Sequence, residues 1–118
     1  MQKIIKMEKL TNYQNILSDY LNLQAAAYGK VSDTGRTEVI IDRNSNNYQL
    51  LHLGWRGNRY EFFVAFHLMI INEKIWLMWN RTELEIVDYL MERGVPKSDI
   101  VLGHKPPHAR EHSGFAVA

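Results

Sequence analysis

The stretch that decides the fold is Arg59-Tyr-Glu-Phe-Phe-Val-Ala-Phe-His-Leu-Met-Ile-Ile71. Tyr60, Phe62, Val64, Phe66, Leu68 and Ile70 alternate along it to give one unbroken apolar face. Arg59, Glu61, Phe63, Ala65, His67, Met69 and Ile71 make the other face, polar at its start and apolar at its end. The β-branched and aromatic content favours a strand over a helix. A strand apolar on both sides needs cover on both, so Phe63, Ala65 and Met69 are expected under a helix or a second subunit.

Outward from this strand, the pattern continues as sheet. Thr37, Val39 and Ile41 alternate with Glu38 and Asp42, the period of a half-buried strand. Asn44-Ser-Asn-Asn47 supplies a turn into a strand at Tyr48–Trp55, and Arg56-Gly-Asn-Arg59 turns again. Asn72-Glu73 leads into a fourth strand, Lys74–Trp79, and Ile100-Val-Leu102 suits a short fifth.

Two helices flank the strands. Leu10, Tyr13, Ile16, Leu17, Tyr20 and Leu21 recur at helical spacing within Glu8–Ala27, with Gly29 as a stop. Thr82-Glu-Leu-Glu85 is a capping box ahead of Val87, Leu90 and Met91, and Gly94 with Pro96 closes that helix. The fold class is therefore α+β: an antiparallel sheet of four to five strands with an N-terminal helix and a second helix packed on it, in the order α-β-β-β-β-α-β. The chain reads as one domain over residues 1–118, with 1–6 as extra N-terminal residues and 103–118 as an extended tail.

Composition narrows the functional classes. The 118 residues contain no cysteine, which excludes disulfides, thiolate metal sites and cysteine nucleophiles and suits a cytoplasmic location. Fourteen Lys and Arg against 13 Asp and Glu leave a formal charge of +1, without the basic surplus of a non-specific nucleic-acid binder. No signal peptide or membrane-length apolar run is present.

Candidate chemistry is sparse. His104, His108 and His112 are four apart, but Pro106 and Pro107 break the helix that would align them for a metal. They read as a solvated tail. His52 and His67 face sheet surfaces, where a packed histidine is commoner than a reactive one. Glu83 and Glu85 are explained by helix capping rather than as a catalytic pair. No nucleophile elbow or phosphate-binding glycine loop occurs. Trp55, Tyr60, Trp76 and Trp79 with Arg56 and Arg59 could form a base-stacking surface, or an aromatic core or protein interface.

Tyr48-Gln-Leu-Leu-His-Leu-Gly-Trp55, Lys74-Ile-Trp76, Thr82-Glu83, Gly94-Val-Pro-Lys97, Asp99-Ile-Val-Leu-Gly103, Pro107, Arg110 and Gly114-Phe-Ala-Val-Ala118 together resemble the XisI family, the cyanobacterial fdxN-element excision controlling factors. The resemblance runs in order from the first helix to the last residue, leaving out only the first six. The resemblance implies an α+β fold and a non-enzymatic role in DNA rearrangement during cell differentiation, the heterocyst setting. A site-specific recombinase does the strand chemistry there, and an XisH-type companion protein acts alongside.

It carries no cofactor, catalytic residue or metal. Trp55, His67, Lys74, Trp76 and Arg110 match family positions and are the candidate binding residues. Lys74 and Arg110 are expected to pair with Glu83 or Asp99 and dock the tail. A homo-oligomer is expected from the two apolar sheet faces. The alternatives are direct DNA binding through Arg56, Arg59, Lys105 and Arg110, and a small metal-dependent hydrolase using His67 or the tail histidines. Where the family pattern reads His-x-Asp-Ile-x-x-Gly-Lys-Ile-Trp, this chain has Met69 for the carboxylate and Glu73 for the turn glycine.

Overall fold

In the computed structural model, which describes residues 2–27, 35–80 and 83–118, the long strand runs from Arg59 to Ile71 as its sequence predicts. It does not keep one face. Leu50 of the neighbouring strand pairs with Phe66, while Leu51 pairs with Val64, so Ala65 is an extra, bulged residue. A bulge advances one strand by a residue and reverses the side to which alternate side chains point. Phe66, Leu68 and Ile70 are consequently buried on one face, as is Ala65, and Phe63 packs against the same core. Tyr60 and Phe62, expected on that buried face, lie on the other and are 50% and 61% exposed.

The elements in order are α1 (Gln2–Ala27), β1 (Gly35–Asp42), β2 (Asn47–Arg56), β3 (Arg59–Ile71), β4 (Lys74–Asn80), α2 (Glu83–Glu92), a 3-10 turn (Lys97–Asp99), β5 (Ile100–Val101) and α3 (Pro107–Arg110). The sheet order is β1-β2-β3-β4-β5. The first three pairings are antiparallel, but β5 pairs parallel to β4. The sheet is thus mixed rather than wholly antiparallel. The reason is the connection: a helix between two adjacent strands returns the chain to the starting end, which forces parallel pairing.

One face of the sheet carries the helices. Tyr13, Ile16, Leu17, Tyr20 and Leu21 of α1 are buried with Tyr48, Leu50, Phe66, Leu68, Ile75 and Leu77 of the sheet and with Ile86, Val87 and Leu90 of α2. Tyr20 ties the layers, meeting the Phe66 ring edge-on at 5.6 Å and the Tyr89 ring at 4.8 Å. Helix α1 starts six residues before the expected Glu8, because Gln2–Met7 contains no helix breaker and is rich in good helix formers. Gly29 and the capping residue Thr82 lie outside the described residues.

Turn chemistry sets the strand registers. Gly57 adopts φ +64° in the two-residue β2–β3 turn, the sign that such a hairpin needs. Between β3 and β4, Asn72 and Glu73 have φ of +51° and +65°. Asparagine tolerates this region, but glutamate does not without a steric cost. The glycine that the family pattern places at this position would carry no such cost. Glu73→Gly is expected to raise stability by about 1 kcal/mol, measured as the urea unfolding midpoint at constant slope. An unchanged or lower midpoint would refute the strain argument.

A polar clasp fixes α1 to the far end of the chain. The Asp99 carboxylate accepts from the Tyr13 hydroxyl at 2.5 Å and pairs with the Lys9 ammonium at 2.8 Å. Burial alone would raise the Asp99 pKa. The bonds from Lys9 and Tyr13, with the charges of Lys9 and Lys74, outweigh it and hold the carboxyl below its ordinary value. Tyr13 is pushed the opposite way, by burial and by the Asp99 bond and charge, and stays protonated.

A depressed carboxyl contributes stability above its unfolded pKa of about 4 and loses it as pH falls through the folded value. Asp99→Asn should therefore cost about 1–2 kcal/mol at neutral pH, allowing for partial exposure, and should flatten the loss of stability below about pH 4. Chemical unfolding at pH 7 and pH 3 tests this. An equal deficit at both pH values would rule the charge out.

Candidate interaction surface

Opposite the helices, the outer face of the sheet is built from residues aligned by cross-strand pairing. Ile40, Gln49, His67 and Trp79 form one row across β1 to β4. Leu51 faces Val64, Leu53 faces Phe62, and Trp55 faces Tyr60 in successive rows toward the β2–β3 turn. The Trp55 and Tyr60 rings meet edge-on at 5.1 Å. Trp79 joins this face through a second bulge: His67 pairs with Trp79 and Leu68 with Leu77, leaving Met78 extra.

Much of this surface is open. β4 pairs with Phe66–Ile71, so from Arg59 to Ala65 the neighbour supplied by the described residues is β2. Ile40, Trp55, Tyr60, Phe62 and Trp79 are all between 44% and 61% exposed. Isolated exposed apolar side chains are ordinary, but a contiguous group on one sheet face marks an interaction site. From the sequence, Trp55, Tyr60, Trp76 and Trp79 read as either a stacking surface or an aromatic core; Trp55, Tyr60 and Trp79 are exposed, whereas Trp76 lies under the tail. Alternation along β3 assigns both Tyr60 and Phe62 to the core, and nothing local announces the bulge that turns them outward.

At the β4 end the same face is covered by the tail. Trp76 lies under the Arg110 guanidinium, 5.1 Å from the ring centroid. Arg110 donates to the carbonyls of Lys105 at 2.8 Å and Val117 at 3.2 Å. The Lys74 ammonium donates to the Ala118 carbonyl. The Ala116 amide donates to the Ile100 carbonyl at 2.9 Å, setting Ala116 beside Val101 as one further parallel bridge. Lys74 and Arg110 thus hold the tail, the role their match to family positions suggested, but through backbone carbonyls; the side chain of Glu83 lies outside the described residues. Asp99 is instead bonded to Lys9 and Tyr13, with Lys74 contributing at longer range. At Gly103 the tail passes close to β4: a Cβ there would meet Met78 Sδ at 2.8 Å and Trp76 Cε3 at 3.1 Å.

The remaining candidates separate. His67 Nε2 bonds Asn47 Oδ1 at 2.9 Å, and burial lowers its pKa, so the ring is a neutral, satisfied part of the outer face. His52 stacks on Phe63 at 5.0 Å on the helix side. His104 Nδ1 donates to the Leu77 carbonyl at 3.0 Å, and among the described residues no group of three potential metal ligands converges. Alternation points Arg56 and Arg59 away from Trp55 and Tyr60, and Arg56 lies 3.7 Å from Glu61. Lys105 and Arg110 belong to the tail on β4, on a different part of the molecule. The family-matching residues therefore form two places: Trp55 on the open surface, and Lys74, Trp76 and Arg110 in the tail clasp, with His67 between.

Met69 pairs with Asn47 on one side and Trp76 on the other and is half-buried by its own chain. The Trp76 indole N–H is buried without an acceptor. A carboxylate at position 69, as in the family pattern, would stand directly across from it.

The clasp makes a testable statement. Arg110→Ala removes two hydrogen bonds and a ring contact, and is expected to cost about 1–2 kcal/mol and to speed amide exchange at Ala116. Unchanged Ala116 protection would show that Arg110 does not hold the tail.

Comparison with known proteins adds the following. Residues 7–117 match the family model described as XisI protein. The crystal structure of the fdxN element excision controlling factor XisI from Anabaena variabilis ATCC 29413 is 33% identical, with a TM-score of 0.84 over 93% of this chain and 99% of that one. A XisI-like protein from the same organism is 31% identical, with a TM-score of 0.84 over 92% and 99% of the two chains. No curated protein matches the sequence. Among the described residues no helix is long and apolar enough to cross a membrane.

Proposed function

Because the chain belongs to the XisI family, we propose that it is a non-enzymatic accessory factor that controls excision of a DNA element by a site-specific recombinase through protein–protein contacts. The observation that carries this reading is the open aromatic surface of the outer face, Trp55, Tyr60, Phe62 and Trp79 with Ile40 at its margin. Aromatic side chains dominate the energy of protein interfaces, and aromatics held on a sheet face present little conformational cost on docking. Control of excision, the role of the Anabaena relative, can be met by such a surface without any catalytic group.

The partner is an XisH-type companion protein or the recombinase itself, in the cytoplasm of a cyanobacterial cell. Direct DNA binding has weaker support. The formal charge is +1, and the arginines near the aromatic pair are directed to the opposite face.

Phe62 is the discriminating position, because it is exposed and its loss leaves the core intact. Phe62→Asp is expected to weaken co-purification with an XisH-type companion about thirtyfold, the effect of one interface hot spot, with unchanged thermal unfolding. Binding that is indifferent to both Phe62→Asp and Trp55→Ala, or no association at micromolar concentration, would refute the proposal. Binding to duplex DNA that falls steeply with salt would favour the nucleic-acid reading instead.

A further inference from the structure

β1 ends the sheet, and among the described residues no strand lies beyond it. All eight residues from Gly35 to Asp42 pair with β2 in unbroken register, with no bulge, proline or lysine to discourage another strand. Ile40 stands 44% exposed on its outer side.

We infer that β1 pairs antiparallel with β1 of a second copy, about a two-fold axis at Val39. Charge and paired length together select this register. With the axis at Val39, Arg36 faces Asp42 of the second copy, and the symmetry provides this pair twice. Thr37 then faces Ile41 and Val39 faces Val39 on the helix side, while Glu38 faces Ile40 on the outer side. Moving the axis to Glu38 sets two glutamates against each other. Moving it to Ile40 sets Glu38 against Asp42 twice. An axis at Thr37 sets Arg36 against Glu38 but leaves only Gly35–Val39 paired. An axis between two residues would join the helix-bearing face of one copy to the bare face of the other, because opposed residues share a side. Like charges directly opposed are unfavourable and opposite charges favourable.

The groups concerned are available. Arg36 lies 2.9 Å from Glu38 of its own strand and remains half-exposed, so it can bridge two carboxylates. Asp42 accepts at Oδ1 from the amides of Asn44 at 2.9 Å and Ser45 at 3.3 Å and also bonds the Ser45 side chain, yet it stays exposed at the sheet edge, where the arginine of the second copy can reach its carboxylate.

The result is one continuous sheet across the dimer, with both aromatic outer faces on the same side. The inference rests on β1 alone and not on the excision role. Phe62→Asp should therefore leave the dimer mass unchanged, so the two proposals fail separately.

The test is mass-resolved chromatography of the full chain at micromolar concentration. Wild type is expected as a dimer, and Arg36→Asp and Asp42→Arg each as a monomer. An equimolar mixture of the two variants should recover the dimer, since each then offers the charge the other lacks. Because Asp42 also holds a turn, Asp42→Asn serves as a second variant: it keeps a turn acceptor, removes the charge and should weaken dimerisation about tenfold. A monomeric wild type, a dimer that survives both charge reversals, or two folded variants that fail to combine would overturn the inference. So would an Asp42→Asn dimer as tight as wild type.

Discussion

The bulge at Ala65 is the constraint on which the rest of the molecule depends. A strand of thirteen residues with apolar side chains on both sides would otherwise need helices on both faces. By reversing the alternation at its midpoint, β3 gives its C-terminal half to the helix-bearing core through Phe66, Leu68 and Ile70. Its N-terminal half places Phe63 on that core, while Tyr60 and Phe62 turn outward. The second bulge, at Met78 of β4, lies beside the first and turns Trp79 to the same outer face. Two single-residue insertions therefore separate a closed half of the sheet from an open one.

The closed half is secured by polar contacts with little surface to spare. Asp99 joins α1 to the segment before β5, and Lys74 and Arg110 fix the C-terminal segment over Trp76. These interactions are individually modest, but they anchor the two ends of the chain to the same sheet. Their cooperation explains how a short, proline-containing tail keeps a defined path. It is held by backbone carbonyls, which are acceptors at every residue and need no particular sequence.

Departures from the family pattern have physical consequences that the sequence could only flag. Glu73 takes a left-handed conformation where glycine would be relaxed. Met69 stands opposite a buried indole N–H that lacks an acceptor. Both positions adjoin the β3–β4 turn, and neither belongs to the open aromatic surface. A carboxylate at position 69 would face the Trp76 indole N–H across the β3–β4 pair.

Local periodicity determined the elements: the strand from Arg59 to Ile71, the hairpin turns at Gly57 and Asn72, and the apolar face of α1 with Tyr13, Leu17 and Tyr20. These depend on neighbours within a few residues, so the amino-acid order alone encodes them. The motif set likewise placed the chain in its family and drew attention to Trp55, Trp76 and Arg110. The tertiary structure decided what those elements face. Whether Phe62 is core or surface depends on the pairing of Leu50 and Leu51 with β3, a long-range match that periodicity within one strand does not contain. The same holds for β5, whose parallel pairing follows from the helix between it and β4, and for Arg110, whose carbonyl partners are named by no side chain. Sequence fixes local geometry through short-range sterics. The side that meets water is set by strands that meet only when the chain has folded.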